Sequence, residues 1–270
     1  MAFPYKKVLL VGATSGIGRA LAGSLVEHGC FVIAVGRRQE LLDSFVQEYG
    51  ADKAASFSLD ISKLDAILDF VKRYVILSAS PVLDNDIDMV DRWFEQRDFI
   101  PSRFRLRLCQ LGDPTAVNYL SYVALAKGFL PFLMAKSDTP TSLIFTSSNL
   151  ALVPILRCSN YCASKAALHH WILCLREQLK NTNIKVIEIF PPIVQTELHD
   201  PKHQPDMAAT VQGKPFGIPV KEFTKETMEK LLAGDDQIPV GLSNIAFNSW
   251  EQQRQQAFRG VVEMMRKGGF

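Results

Sequence analysis

The chain is predicted to be an α/β protein whose parallel sheet is doubly wound, with helices on both faces. Three observations predict it. The continuous apolar run Lys7–Val11 (KVLLV) has the pattern of a strand buried on both faces, Phe31–Val35 (FVIAV) reads as a second buried strand, and Lys185–Phe190 (KVIEIF) as a later one. Segments with helical periodicity separate these runs, which calls for parallel crossovers. A glycine-rich turn, Gly12-Ala13-Thr14-Ser15-Gly16-Ile17-Gly18, joins the first strand to the first helix.

The elements follow in order. Ile17–His28 is expected to be helical, with Ile17, Leu21 and Leu25 towards the sheet. Gln39–Tyr49 places Leu41, Leu42, Phe45 and Val46 on one side. Ser56–Leu59 is a short third strand that ends at Asp60, and Ser62 is the expected N-cap of the next helix. Thr115–Ala135 is a long helix, Leu143–Thr146 a strand, Ser159–Leu179 a helix, and Ile238–Val240 fits a last strand. Phe247–Arg266 is a polar-rich helix that packs on the core or on another subunit. No internal repeat divides the 270 residues, so one domain spanning residues 1–270 is expected.

Composition bounds the function. The chain is 47% hydrophobic and 21% charged, an ordinary globular balance. Its 30 basic and 28 acidic residues give +2, so no basic excess points to nucleic acid or to an anionic membrane. Five cysteines (Cys30, Cys109, Cys158, Cys162, Cys174) lack metal-ligand spacing and read as reduced thiols. The sequence enters its first strand at once, and no uncharged apolar run is long enough to span a bilayer; a cytoplasmic protein is the expectation.

The glycine turn is a candidate dinucleotide site. A helix N-terminus carries unpaired N–H groups and partial positive charge, which suit a pyrophosphate. Gly12, Gly16 and Gly18 permit the tight turn and close approach, with Ser15 and Ile17 between them. At the end of the second strand an acid would receive a ribose 2′-hydroxyl; here the residues are Gly36-Arg37-Arg38. Arg37, beside Arg38, can clamp a 2′-phosphate through charge-assisted bonds, which favours NADP(H) with NAD(H) as the alternative. The bland reading of the pair is two solvated arginines. Asp60 either accepts from the adenine amino group or serves the start of a helix.

Tyr161-Cys162-Ala163-Ser164-Lys165 carries the chemistry. A Tyr and a Lys four apart on a helix share one face. An ammonium beside a phenol favours its phenolate, making Tyr161 a candidate acid/base. His169 and His170 lie further along the same helix and read as packing or surface residues.

Over most of its length the sequence resembles the short-chain dehydrogenase/reductase family. The spaced glycines, Asp60, Asn118, Ser148, the Tyr161/Lys165 pair and Pro191–Thr196 carry the resemblance, in order. Tyr161–Leu179 and Phe190–Asp200 look like a fungal branch similar to bacterial oxidoreductases associated with cell-wall D-alanylation. The resemblance implies a Rossmann-type fold and hydride transfer between a nicotinamide and a hydroxyl or carbonyl. It implies that Tyr161 exchanges the proton, and that Lys165 holds the nicotinamide ribose and lowers the Tyr161 pKa. Ser148, next to Ser147, would bond the substrate oxygen. Asn118 would fix a water linking Lys165 to solvent. Val194 and Thr196 would border the nicotinamide, with Thr196 on its carboxamide. The partner is a small, mostly apolar metabolite, and homodimers or tetramers are usual.

Two segments depart from the pattern. The family places an Asn-Asn-Ala-Gly or Asn-Ser-Gly turn after a fourth strand, and the block from Tyr74 to Asp113 does not supply it. Val75–Ser80 and Asp86–Phe94 are the two candidate replacements. The block is either an insertion that remodels the substrate mouth or a misassembled segment. In the second case the protein binds dinucleotide with impaired or no catalysis. The stretch from Thr196 to Gly234 mixes Pro, Gly and aromatic residues and is expected to form a mobile lid or a packed surface loop. No metal site is expected; His199, Asp200 and His203 are the nearest approach to one.

Overall fold

The computed structural model describes residues 3–78, 115–136, 139–199, 210–211, 214–215 and 217–268. Two three-stranded parallel sheets form its frame. In the first, β1 (Lys7–Val11) pairs with β2 (Phe31–Gly36), which pairs with β3 (Ala54–Ser58), in the register Leu9↔Ile33↔Ala55. In the second, β4 (Thr141–Thr146) pairs with β5 (Ile184–Phe190), which pairs with β6 (Gln237–Pro239). Phe145 stands opposite Glu188 in that register. Among the described residues no strand pairing joins β1 to β4.

Helices cover both faces because each carries an apolar stripe at helical spacing. On one face lie α1 (Gly16–Glu27) and α6 (Val220–Ala233), where Leu21, Leu25, Phe223 and Met228 close over Val32, Ala34 and Ile187. On the other lie α3 (Leu64–Ser78) and α4 (Ser121–Met134), with Ile67, Phe70 and Val71 against Leu125 and Phe129. Helix α5 (Ser159–Leu179) packs Leu168 and Ile172 on Phe145 and Val186. Helix α2 (Gln39–Tyr49) buries Leu42 and Phe45 completely. Each such side chain contributes roughly 1.5–3 kcal/mol of transfer free energy. A short helix, α7 (Ser243–Ala246), and α8 (Gln252–Lys267) complete the chain, joined by a π turn at Phe247–Glu251.

The predicted elements are found, with shifted ends. Gln39–Tyr49 and Ser159–Leu179 match residue for residue. The long helix opens with a π turn, Ala116–Leu120, before α4. The segment Ala116–Met134 is long and apolar enough to cross a bilayer by length and composition alone. Here it packs as a helix of the fold, against α3 and β4.

Three expectations are corrected. Val75–Ser78 is the last turn of α3, so that candidate for a fourth strand fails; the rest of the disputed block lies outside the described residues. Ser62 is not an N-cap: α3 starts at Leu64, and Ser62 donates to Asp60 instead. The predicted lid is in part core. Val220–Ala233 is α6, anchored by Phe223, Thr227, Met228 and Leu231 at helical spacing. Ile218–Pro219, just before it, pairs with Val194–Gln195. Residues 200–209 of that stretch lie outside the described residues.

Candidate active site

A parallel sheet gathers the chemistry-bearing loops at one edge, the carboxyl ends of its strands. The glycine turn follows β1, Arg37 and Arg38 follow β2, Asp60 follows β3, Ser148 follows β4, and Pro191–Thr196 follow β5. Residues scattered from 12 to 196 in sequence therefore share one side of the molecule.

The glycine turn is tied to β2, with Gly12 and Ala13 N–H groups donating to the Val35 carbonyl at 2.8 and 3.1 Å. Gly12 sits at φ +87° and Gly16 at φ +54°, in the left-handed region that side chains disfavour. A Cβ on Gly18 would collide with the Gly12 carbonyl oxygen. The start of α1 has no side-chain cap at Ser15 and no acid in its first turn. Its N–H groups and dipole are thus available to an anion.

Arg38 spans this turn. It donates to Thr14 Oγ1 at 3.1 Å and to Ser15 Oγ, and it pairs with Glu197 at 3.1 Å. Sequence reasoning named Arg37 as the clamp and did not foresee Thr14 or Glu197 as neighbours. Asp60 accepts from the Ser62 N–H and hydroxyl at 3.1 and 2.7 Å, and the hydroxyl bond above all holds its carboxyl below the usual range. The structure thus supplies bonds for the helix-start role of Asp60. Thr196 lies against the turn: a Cβ on Gly16 would stand 3.2 Å from its methyl. Val194 is buried beside Ile218.

Beyond β4, Tyr161 is half-buried on the first turn of α5 and Lys165 is buried one turn on. The Lys165 Nζ donates to the Thr146 carbonyl at 2.8 Å, and stands 5.9 Å from the Tyr161 ring centre and 5.2 Å from that of Tyr122. Burial pushes the Lys165 ammonium down from its ordinary value, and the fields of Tyr161 and Glu188 oppose that push. Ser148 lies two residues past β4 and caps the 3₁₀ turn Asn149–Ala151; its Oγ accepts from the Leu150 N–H at 3.0 Å, and a hydroxyl that accepts one bond can still donate another. Ser147 is buried, and its Oγ has no partner among the described residues. Asn118, expected to act on Lys165 through a water, stands on the π turn before α4. Its Nδ2 donates to Ser164 Oγ at 3.2 Å, and Ser164 Oγ donates to the Tyr161 carbonyl at 2.8 Å. Asn118 thereby ties the π turn to the helix of Tyr161.

Beneath this pair runs a buried ionic chain that the sequence did not reveal. His169 Nδ1 bonds the Glu188 carboxylate at 2.9 Å, and its Nε2 bonds Glu251 at 2.9 Å. Glu251 also accepts from Arg254 at 2.8 Å and from Gln255 at 2.7 Å. His169, Glu188 and Glu251 are at most 1% exposed. Burial alone would lower the His169 pKa; the bonds to both carboxylates outweigh it and raise the pKa. Burial likewise works against the Glu251 anion, yet its bonds to His169, Arg254 and Gln255 bring its pKa down to about 2. The one sequence signal was a lone Glu within the apolar KVIEIF strand. His169 is neither a surface residue nor plain packing.

Among the described residues no His, Cys, Asp and Glu cluster could hold a metal ion. His199 is among them, while Asp200 and His203 are outside. Cys30, Cys158, Cys162 and Cys174 are free thiols, and the Cys158 and Cys162 sulfurs lie 3.9 Å apart. Cys109 is outside the described residues.

Known proteins are similar to this chain in sequence and in fold. Residues 6–78 and 109–206 match the model of a family described as short chain dehydrogenase. The chain is 30% identical over 233 residues to the uncharacterized oxidoreductase DltE of Bacillus subtilis, covering 86% of each. It is 28% identical over 198 residues to benzil reductase ((S)-benzoin forming) IRC24 of Saccharomyces cerevisiae, covering 72% of this chain and 73% of that one. Among solved structures, a short chain dehydrogenase from Burkholderia cenocepacia in complex with NADP has the same fold, with TM-score 0.65 and 21% identity over 95% of this chain and 98% of that one.

Proposed function

The chain belongs to the short-chain dehydrogenase/reductase family, and on that premise we propose that it is an NADP(H)-dependent oxidoreductase interconverting a hydroxyl and a carbonyl on a small, mostly apolar metabolite. The observation that carries the reading is the buried Lys165 ammonium one helical turn from Tyr161, at the strand edge that also holds the glycine turn. The yeast relative's name, a benzil reductase, supports a ketone as substrate.

The residues fit a dinucleotide. The space denied to any side chain at Gly18, and the uncapped start of α1, suit a pyrophosphate against bare backbone. Arg38, already bonded to Thr14 and Ser15, and Arg37 beside it, would take the 2′-phosphate. Displacing Glu197 from Arg38 is part of that role. Val194 and Thr196 would border the nicotinamide, and Asp60 the adenine. The bound cofactor supplies the hydride.

This chain's residues do the rest. Ser148 Oγ donates to the substrate oxygen and orients it. Tyr161 delivers its phenolic proton to that oxygen during reduction, or takes it during oxidation. Lys165 leaves the Thr146 carbonyl for the ribose hydroxyls and keeps its cation beside the Tyr161 ring. Asn118, through Ser164, holds the turn of helix that presents Tyr161.

NADPH consumption against a panel of apolar ketones and diketones tests this. Tyr161→Phe should lower turnover about 10²–10⁴-fold with NADPH binding retained; undiminished turnover in that variant removes the assigned acid/base. A second reading, cofactor binding with little catalysis, is favoured by one observation: the family match is interrupted between residues 78 and 109. Quenching of tryptophan fluorescence by NADPH, with no turnover of any carbonyl, is its signature.

A further inference from the structure

The buried chain Glu188–His169–Glu251 has no part in the chemistry above, yet it adjoins Lys165, which has. Lys165 and His169 are one turn apart on α5 and face the sheet together. Glu188 stands opposite Phe145, and the Lys165 Nζ is bonded to the carbonyl of the next residue, Thr146. The Glu188 carboxylate, bonded to the imidazole, thus meets the face of α5 that also carries the ammonium, and its field acts on Lys165. The groups facing Lys165 are the rings of Tyr161 on α5 and Tyr122 on α4, the Thr146 carbonyl on β4 and Glu188 on β5. Glu188 is the one carboxylate in that set. His169 is faced by Glu188 and Glu251, with His170 and Arg254 beyond them.

We propose that Glu188 is the buried counter-ion of Lys165, a positioning residue for the reaction, which His169 and Glu251 share with the C-terminal helix. An ammonium this deep needs an opposite charge. His169, as the cation between two carboxylates, competes with Lys165 for Glu188. Glu251, fixed by Arg254 and Gln255, pulls the imidazole towards α8 and so moderates that competition. The C-terminal helix thereby reaches the active-site charge through three side chains. The inference rests on the catalytic reading of Lys165.

The test follows the Lys165 side chain itself by NMR in the full chain, with ¹³Cε-labelled lysine and the resonance assigned by its loss in Lys165→Arg. Glu188→Gln removes the anion, and the Lys165 titration midpoint should move to lower pH. His169→Gln removes the competing cation, and the midpoint should move to higher pH. Opposite shifts support the proposal; an unchanged midpoint in Glu188→Gln, or shifts of the same sign, overturn it, since loosened packing would push both variants one way. If Glu188→Gln does not fold, Glu188→Asp, which keeps the anion but draws it back, takes its place: a lowered midpoint beside the rise in His169→Gln supports the proposal, and an unchanged or raised one overturns it, since loosened packing raises both. The alkaline limb of the turnover profile should follow the same two directions. Because the NMR readout needs no turnover, it stands or falls separately from the acid/base role, which Tyr161→Phe tests.

Discussion

Strand β2 buries Val32, Ile33, Ala34 and Val35 with nothing charged beside them, whereas β5, its counterpart in the second sheet, buries Glu188 at its middle. The first sheet is covered by Leu21, Leu42 and Phe45; the second adds His169, Glu251 and Gln255 to its cover. Both halves are dry, but they are held differently. An apolar core keeps its cohesion whatever the pH. A core built partly on carboxylates and an imidazole keeps it only while those groups carry the right protons. The half that holds the glycine turn is therefore unconditional, and the half that holds Tyr161 and Lys165 is conditional.

The sharpest way to break this contrast is to compare Phe45→Ala with Glu251→Ala. Phe45→Ala should cost about 3–5 kcal/mol, by the same amount at pH 7 and at acid pH. Glu251→Ala should cost about as much at pH 7, because it takes from the buried His169 cation one of its two carboxylates. Its cost should fade on acidification. The Glu251 pKa is depressed to about 2 from an ordinary 4.5, so its contribution, on the order of 3 kcal/mol, is present above pH ~4.5 and is lost as pH falls towards that lower value. His169 has the opposite sign: its raised pKa contributes fully below the ordinary histidine range and loses that contribution as pH rises through the folded value. Thermal melts of both variants from pH 2 to 9 measure this. A pH-independent gap for Glu251→Ala would erase the distinction between the halves.

A smaller effect probes the unconditional half where it meets ligand. Arg38→Ala should weaken NADPH binding about tenfold, roughly 1.4 kcal/mol, and leave NADH binding within about twofold. Equal losses for both nucleotides would mean that Arg38 only braces Thr14 and Ser15. The smallest effect is at the surface of that half. Arg19 pairs with Glu48 and lies over the Phe45 ring at 4.6 Å. Arg19→Ala should cost less than about 1 kcal/mol, since exposed pairs contribute little. A larger loss in a urea titration would show that the apolar half also leans on charge.

The same division explains what the sequence disclosed. Apolar runs mark strands, so β1, β2 and β5 were legible from residue type, as was the helix that carries Tyr161 and Lys165; burial on both faces holds for β2 and not for β1, whose residues are half-buried or exposed. The glycine turn was legible because its positive φ values admit few other residues. The ionic chain was not, because His169 lies 19 residues from Glu188 and 82 from Glu251, and no periodicity links positions that only folding brings together. Arg38 and Glu197 were hidden for the same reason, 159 residues apart. The lid was misjudged because Pro and Gly outweighed the helical spacing of Phe223, Thr227 and Leu231 within it. The π turns left no trace in residue type, since they change only which carbonyl each N–H selects.

Glu251 is the last residue of one of those turns, Phe247–Glu251. A π turn lodges an extra residue in a helix, and each residue of an ordinary helix advances the azimuth by about 100°. Loss of that one residue would swing the carboxylate away from the imidazole by roughly a quarter of a circle. The phasing of the whole C-terminal segment, and with it the reach of a distant surface into the interior, thus hangs on a single surplus peptide unit.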